Sequence, residues 1–212
     1  MRAAVSKEEI EAFKNFCVLM RGTYEHIRKL SDDEGGRNLL HRAAPIFFGD
    51  LNRILIEMMI LEVCRITDPA SAGKFDNHTV EFLAKNADFS SAPESAARLR
   101  ELCDAINMFR DKLKPARDKR ISHLNRQTVR DRITLGAASD GEWNNFWLNL
   151  QEFLSIIYER YVGSPMKLND VGLLSDIDGL FKQLRNGAYF DKMLHGADPV
   201  ARDKCIKAAF GE

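Results

Sequence analysis

Arg117, the aspartate beside it and a histidine five residues beyond that aspartate have types and spacing suited to chemistry, in the run Arg117-Asp118-Lys119-Arg120-Ile121-Ser122-His123. Arg117 carries a permanent charge on a planar fork of N–H donors that matches a phosphate. His123 is of the type whose ordinary pKa lets it give and take a proton near neutrality. An arginine, an acid and a histidine of this kind suit the handling of a phosphodiester. On an ideal helix six residues turn through about 600°, so Arg117 and His123 would stand about 120° apart. They converge if the histidine sits at a frayed helix end, or if two copies of the segment face each other across a dimer axis. Two readings of His123 stand at this point: a proton-transfer group, or a plain helix-end or core histidine.

The run lies inside a basic stretch, Arg110 to Arg132, with nine Lys or Arg against three Asp. The whole chain has 31 basic and 31 acidic residues and no net charge, so the +6 of this stretch is offset by −6 elsewhere. Zero net charge argues against a protein that coats DNA by electrostatics alone. A local patch still attracts a polyanion; the alternative is a solvated helix face.

Other chemistries lack their signatures. There is no G-x-x-x-x-G-K-[ST], no G-x-G-x-x-G after a strand, no H-E-x-x-H and no G-x-S-x-G. The histidines, His26, His41, His78, His123 and His195, never stand three or four apart, and no E-x-x-H occurs. Neither a zinc site, nor a di-iron site, nor a cofactor is therefore expected. Cys17, Cys64, Cys103 and Cys205 are widely spaced, and the first three fall in apolar helical patterns. Buried free thiols and a reducing cytoplasm are the expectation. No apolar run approaches membrane-spanning length, and MRAAVSKEE at the N-terminus lacks a signal core.

The elements that must position these residues read as helices. Ser6 to Leu30 opens with the capping box Ser6/Glu9, carries an apolar stripe from Ile10 to Ile27, and is expected to end in an acidic loop at Asp32–Gly36. Asn38 to Thr67 reads as a second long helix, with Pro45 a kink or a fresh start. Phe47, Leu51, Ile54, Leu55, Met58 and Leu61 make one of its apolar faces; Ile56, Met59, Ile60 and Val63 make another. Such a helix is either central in a bundle or shared with a partner subunit. Asp68-Pro69 stops it, a loop follows from Gly73, and a short helix spans His78 to Asn86.

A third long helix begins at Ser91-Ala92-Pro93-Glu94, read as another capping box, and runs through Leu99, Leu102, Ile106, Phe109 and Leu113. Pro115 should loosen its ladder before the helical pattern resumes from Arg117 to about Leu124. Gln127 to Ser139 shows no period and reads as a connection. The fourth long helix opens with Ser139/Glu142, carries an aromatic stripe read as core (Trp143, Phe146, Trp147, Leu150, Leu154, Ile157, Tyr158, Tyr161), and closes at Gly163-Ser164-Pro165. Ser175–Ala188 and Pro199–Phe210 read as two weaker helices. No segment shows strand alternation. The expected fold is all-α: an antiparallel bundle of four long helices with a short extra helix over residues 1–165, and a C-terminal helical appendage, 166–212, that is not independent.

In this setting the motif resembles the signature of HEPN domains: an arginine, a polar residue, a short spacer and a histidine, matched by Arg117, Asp118 and His123. The likeness extends to the helix ending in Cys64-Arg65-Ile66-Thr67-Asp68-Pro69, the run A-R-D-K-R-I-S-H-L and the aromatic-rich helix from Trp143. It covers roughly Lys7 to Val162 and resembles the AbiU-type abortive-infection branch. The resemblance implies a HEPN-like bundle and a metal-independent endoribonuclease, working as a homodimer whose two motifs line one cleft. His123 would then assist proton transfer, Arg117 would hold the scissile phosphate, and Asp118 would orient one of them or a water. Lys119, Arg120 and Arg126 would bind RNA backbone, and Arg120 is also an alternative phosphate partner. The implied partners are RNA, a second copy and a cognate antitoxin, with no membrane. The same resemblance also covers non-catalytic scaffolds that act through helical association. A DNA-binding regulator is a third reading.

Overall fold

The computed structural model describes residues 5–32, 34–72, 75–123, 125–131, 135–164, 166–168, 175–196 and 198–210. Asp33, Gly73, Leu124, Arg132 and Pro165, which enter the sequence reading above, lie outside the described residues. The chain is all-α. Its helices are α1 (Lys7–Asp32), α2 (Glu34–Ala43), α3 (Pro45–Thr67), α4 (Val80–Asn86), α5 (Pro93–Ala116), α6 (Arg126–Asp131), α7 (Asp140–Val162), α8 (Ser175–Gly196) and α9 (Pro199–Phe210), with a π-helical turn at Arg117–Ile121. Between α3 and α4, β1 (Ser71–Ala72) and β2 (Phe75–Asp76) form a two-residue antiparallel ladder that pairs Ser71 with Asp76.

Helix boundaries follow local chemistry. At the start of α1 the Ser6 N–H donates to the Glu9 carboxylate at 2.7 Å, and the Glu9 N–H donates back to the Ser6 hydroxyl at 3.2 Å. Ser139 and Glu142 form the same reciprocal box at the start of α7, which ends on Gly163 in the left-handed region, φ 77°. Proline at the first turn of a helix loses no intrahelical bond, and Pro45 accordingly starts a separate helix.

Three expectations are corrected. The acidic loop at Asp32–Gly36 is not one: α2 resumes at Glu34, because burying Gly36 and Leu40 outweighs the poor helix propensity of the glycines. Ser91 does not cap α5; with Pro93 at the first turn the capping position falls on Ala92, which makes no side-chain hydrogen bond. Part of the stretch read as a connection forms α6, where the Asn125 side-chain Oδ1 accepts from the Thr128 N–H at 3.1 Å and from the Thr128 hydroxyl at 3.2 Å. Six residues are too few to display a helical period.

The chain divides into two compact units, Met1–Tyr24 with Ile54–Val171 and Glu25–Arg53 with Gly172–Glu212. In the first unit α5 and α7 run antiparallel, tied by Arg98 to Glu152 at 2.6 Å and, at the other end, by Lys112 to Glu142. Between these ties Phe109 stacks on Phe146 and meets Trp143 edge-on, both with ring centroids 4.8 Å apart. Cys17 and Met20 of α1, Val63 and Cys64 of α3, Leu113 of α5 and Leu150 of α7 are among the side chains this core buries. In the second unit α2 packs on α8, burying Leu40, Ile177 and Phe181, and Lys29 pairs with Asp178 at 2.6 Å. Among the described residues no helix is long and apolar enough to cross a membrane.

Candidate active site

The site begins where α3 ends. Thr67 closes that helix with its hydroxyl donating to the Val63 carbonyl at 2.6 Å. Arg110 of α5 donates through Nη1 to the Thr67 carbonyl at 2.8 Å. Just beyond, the Ala70 N–H donates to Glu81 at 2.7 Å, and Asn77 Nδ2 donates to the Pro69 carbonyl at 2.9 Å. Asp68 therefore stands on backbone pinned from both sides.

Opposite it, Pro115 lies one residue before the end of α5 and removes a donor from the ladder. The next turn widens: Ser122 N–H donates to the Arg117 carbonyl five residues back at 2.8 Å, a π-type bond of the kind that recurs at functional sites. Arg117 opens that turn, where a continued α pattern was expected. Its side chain, 21% exposed, makes two charge-assisted bonds: Nε to Asp118 Oδ1 and Nη1 to Asp68 Oδ1, both 2.7 Å. Burial works against the guanidinium charge, but the two carboxylates outweigh it and hold the pKa above its usual value. Beneath them the Cys64 thiol is pushed up to about 11, chiefly by burial, within the field of Arg117, Asp68, Arg110 and Asp118.

His123 differs. It follows the π turn, past the bend at Ser122, and is exposed. Asn125 donates from its backbone N–H to the carbonyls of Lys119 and His123, both at 3.0 Å, which ties the histidine's backbone between the π turn and α6. Its ring makes no hydrogen bond or ion pair among the described residues, with Arg117 or with any other group. The structure thus brings Arg117 and Asp118 together, adds Asp68, and leaves His123 facing solvent in the single chain. Lys119, Arg120 and Arg126 are also exposed.

The basic stretch is less positive than its sequence count. Two acids from outside the stretch lower it: Lys112 pairs with Glu142, and Arg117 with Asp68 at 2.7 Å. Lys114, Lys119, Arg120 and Arg126 make no ion pair among the described residues and form its outward charge. The cysteines follow expectation where described: Cys17, Cys64 and Cys103 are buried free thiols, whereas the side chain of Cys205 lies outside the described residues. Among the described residues no group of three His, Cys, Asp or Glu is placed to hold a metal ion.

Sequence reasoning missed Asp68 as a site residue. It stands 49 positions before Arg117, and was legible only as a helix stop. A signal was nonetheless present: Arg110 and Arg117 are seven residues apart, two helical turns, and so share the face of α5 that meets the end of α3.

No curated protein and no solved structure matches this chain. A family model described as AbiU2, of HEPN type, matches residues 7–186. That match continues beyond Val162, where the resemblance read from the sequence ended, into α8. With the match spanning well over half its length, the chain belongs to the AbiU2 family of HEPN domains.

Proposed function

We propose that this chain is a metal-independent endoribonuclease of toxin or phage-defence type, active as a homodimer in which Arg117, Asp118 and His123 of each chain face their counterparts across one cleft. The observation that carries the reading is the contrast within the motif: a guanidinium held in place by two carboxylates, and an exposed imidazole six residues later. In the proposed reaction the ribose 2′-oxygen attacks phosphorus and loses its proton while the bond to the 5′-oxygen breaks. The products are a 2′,3′-cyclic phosphate and a 5′-hydroxyl. His123 takes or gives the proton, help worth about 10²–10⁴-fold. Arg117 binds the phosphoryl oxygens as their charge grows. Asp118, bonded to Arg117 Nε, orients that guanidinium. Lys119, Arg120 and Arg126 bind backbone phosphates without reading sequence. A cytoplasmic location and a cognate antitoxin belong to the same reading.

The test is cleavage of single-stranded RNA in EDTA, together with growth on expression. The wild-type chain should cut and slow growth, and His123→Ala and Arg117→Ala should do neither while keeping their helical circular dichroism. Full cleavage by either variant would overturn the assignment. A second reading, a non-catalytic protein acting by helical association, is favoured by the exposed apolar residues Ile54, Met58 and Leu61 on one face of α3. It predicts no cleavage by the wild-type chain and a partner recovered through that face.

A further inference from the structure

Arg117 has a holder outside the motif. A guanidinium receives a phosphate best when its planar fork of N–H donors is held in one fixed orientation. Asp118 fixes Nε from within the same turn. A neighbour one residue away moves with the turn it belongs to, so that bond alone cannot anchor the arginine to the rest of the fold. Asp68 does so from another helix. It bonds Nη1 at 2.7 Å, and its own backbone is fixed by Arg110 on Thr67, Glu81 on Ala70 and Asn77 on Pro69. With Nε and Nη1 engaged, Nη2 makes no bond among the described residues and is the part of the fork left to meet a ligand.

We propose that Asp68 is a positioning residue for the phosphodiester site: through Nη1 it sets the plane and direction in which Arg117 presents its remaining donors to the scissile phosphate. This rests on the ribonuclease reading for its consequence in turnover, though the orientation of Arg117 does not depend on that reading. Asp68 touches no reacting atom and acts through Arg117. Misplacing a group of this kind by about 1 Å costs on the order of 10²-fold in rate. The carboxylate also explains why the end of α3 is clasped by two arginines, Arg110 of α5 and Arg117 of the π turn that follows it: one fixes the backbone of the platform and the other uses it.

The test has two arms on the full-length protein. In the first, the arginine side-chain N–H signals are followed by NMR, with Arg117→Lys used to assign them. Wild type should show a slowly exchanging Nε–H and restricted Nη rotation at Arg117. Asp68→Ala should free the Nη rotation while the Nε–H, bonded to Asp118, keeps its slow exchange; Asp68→Asn, which keeps an acceptor oxygen, should retain much of the Nη restriction. An unchanged Arg117 Nη signal in Asp68→Ala overturns the proposal whether or not the protein cuts RNA. In the second arm, Asp68→Ala should lower kcat by roughly 10- to 100-fold with KM changed less than threefold and the melting temperature kept. Asp68→Asn should recover at least part of that loss. A kcat within twofold of wild type, or a loss matched by a fall in melting temperature and not recovered by Asn, contradicts the positioning role. Release of Arg117 by Asp68→Ala in a wild-type background that cuts no RNA would instead uphold the orienting contact and sink the ribonuclease reading.

Discussion

Arg117 is gripped on two sides by carboxylates at 2.7 Å, while His123, just past the π turn it opens, puts its ring into solvent. The same difference separates larger regions. Upstream, α5 is locked to α7 by stacked aromatics and ion pairs at both ends. Downstream of Pro115 the chain runs through a π turn and a six-residue helix, with side chains mostly outside the core. The tightly packed region supplies position and the loosely packed one supplies reach. Charge stabilisation gains most from groups already fixed in place. A proton-transfer group must reach the proton it moves, and the proposed dimer would bring His123 there when a second chain closes over it.

The comparison can be broken at either end. The largest expected effect is on turnover: His123→Ala should lower RNA cleavage by about 10²–10⁴-fold. Because the ring is exposed, thermal unfolding should stay within about 0.5 kcal/mol of wild type. Loss of stability on the same scale as loss of cleavage would mean that His123 is structural. Phe146→Ala is the counterpart in the packed region. It removes a side chain 1% exposed that stacks on Phe109, and urea unfolding should show a loss of about 3–5 kcal/mol.

Gly136→Ala tests the join between the two regions. Gly136 has φ 74°, and a Cβ there would come within 2.7 Å of the Ala116 Cβ, immediately before Arg117. A left-handed backbone and a close approach both disfavour alanine, so a loss of about 1–3 kcal/mol is expected. Reduced cleavage should accompany it, measured at a temperature where the variant is folded. Unaltered stability would place this contact outside the support of the site.

The smallest effect is a pH dependence from His78. Its ring lies against Phe13 and Phe82 at 5.5 and 5.6 Å, and its buried Nε2 has no hydrogen-bond partner among the described residues. Burial holds its pKa below the ordinary value against the opposing pull of Glu9. The unfolded chain therefore binds a proton that the folded one refuses. Stability is fully present above the unfolded value of about 6.5 and falls as pH drops through it toward the lower folded value. His78→Leu should flatten that acid-side slope between pH 7.5 and 5.5 in urea titrations; an unchanged slope would assign it to other groups.

The periodic parts of the fold were readable in the sequence. The stripes of α1, α5 and α7 and the boxes at Ser6 and Ser139 are local signals, and locality is what periodicity reports. Glu34–Gly36 was misread because only tertiary burial makes two glycines helical there. Pro115 marked a loosened ladder, but the π form of the turn after it was not legible because a five-residue element has no period to show. Arg117, Asp118 and His123 were visible as neighbours in sequence, whereas Asp68 comes to the site through the packing of α3 on α5. The packing of α7 on α5 likewise neutralises a cation that a simple charge count leaves positive, since Lys112 meets Glu142 from 30 residues away.

The central claim is that one chain holds half a site. Cleavage rate per chain, measured in EDTA across a dilution series whose dimer fraction is followed by sedimentation, tests it most directly. The rate per chain should fall in proportion to the dimer fraction. A rate that stays constant down to concentrations where the chain is a monomer would show that Arg117 and His123 complete the site without a partner.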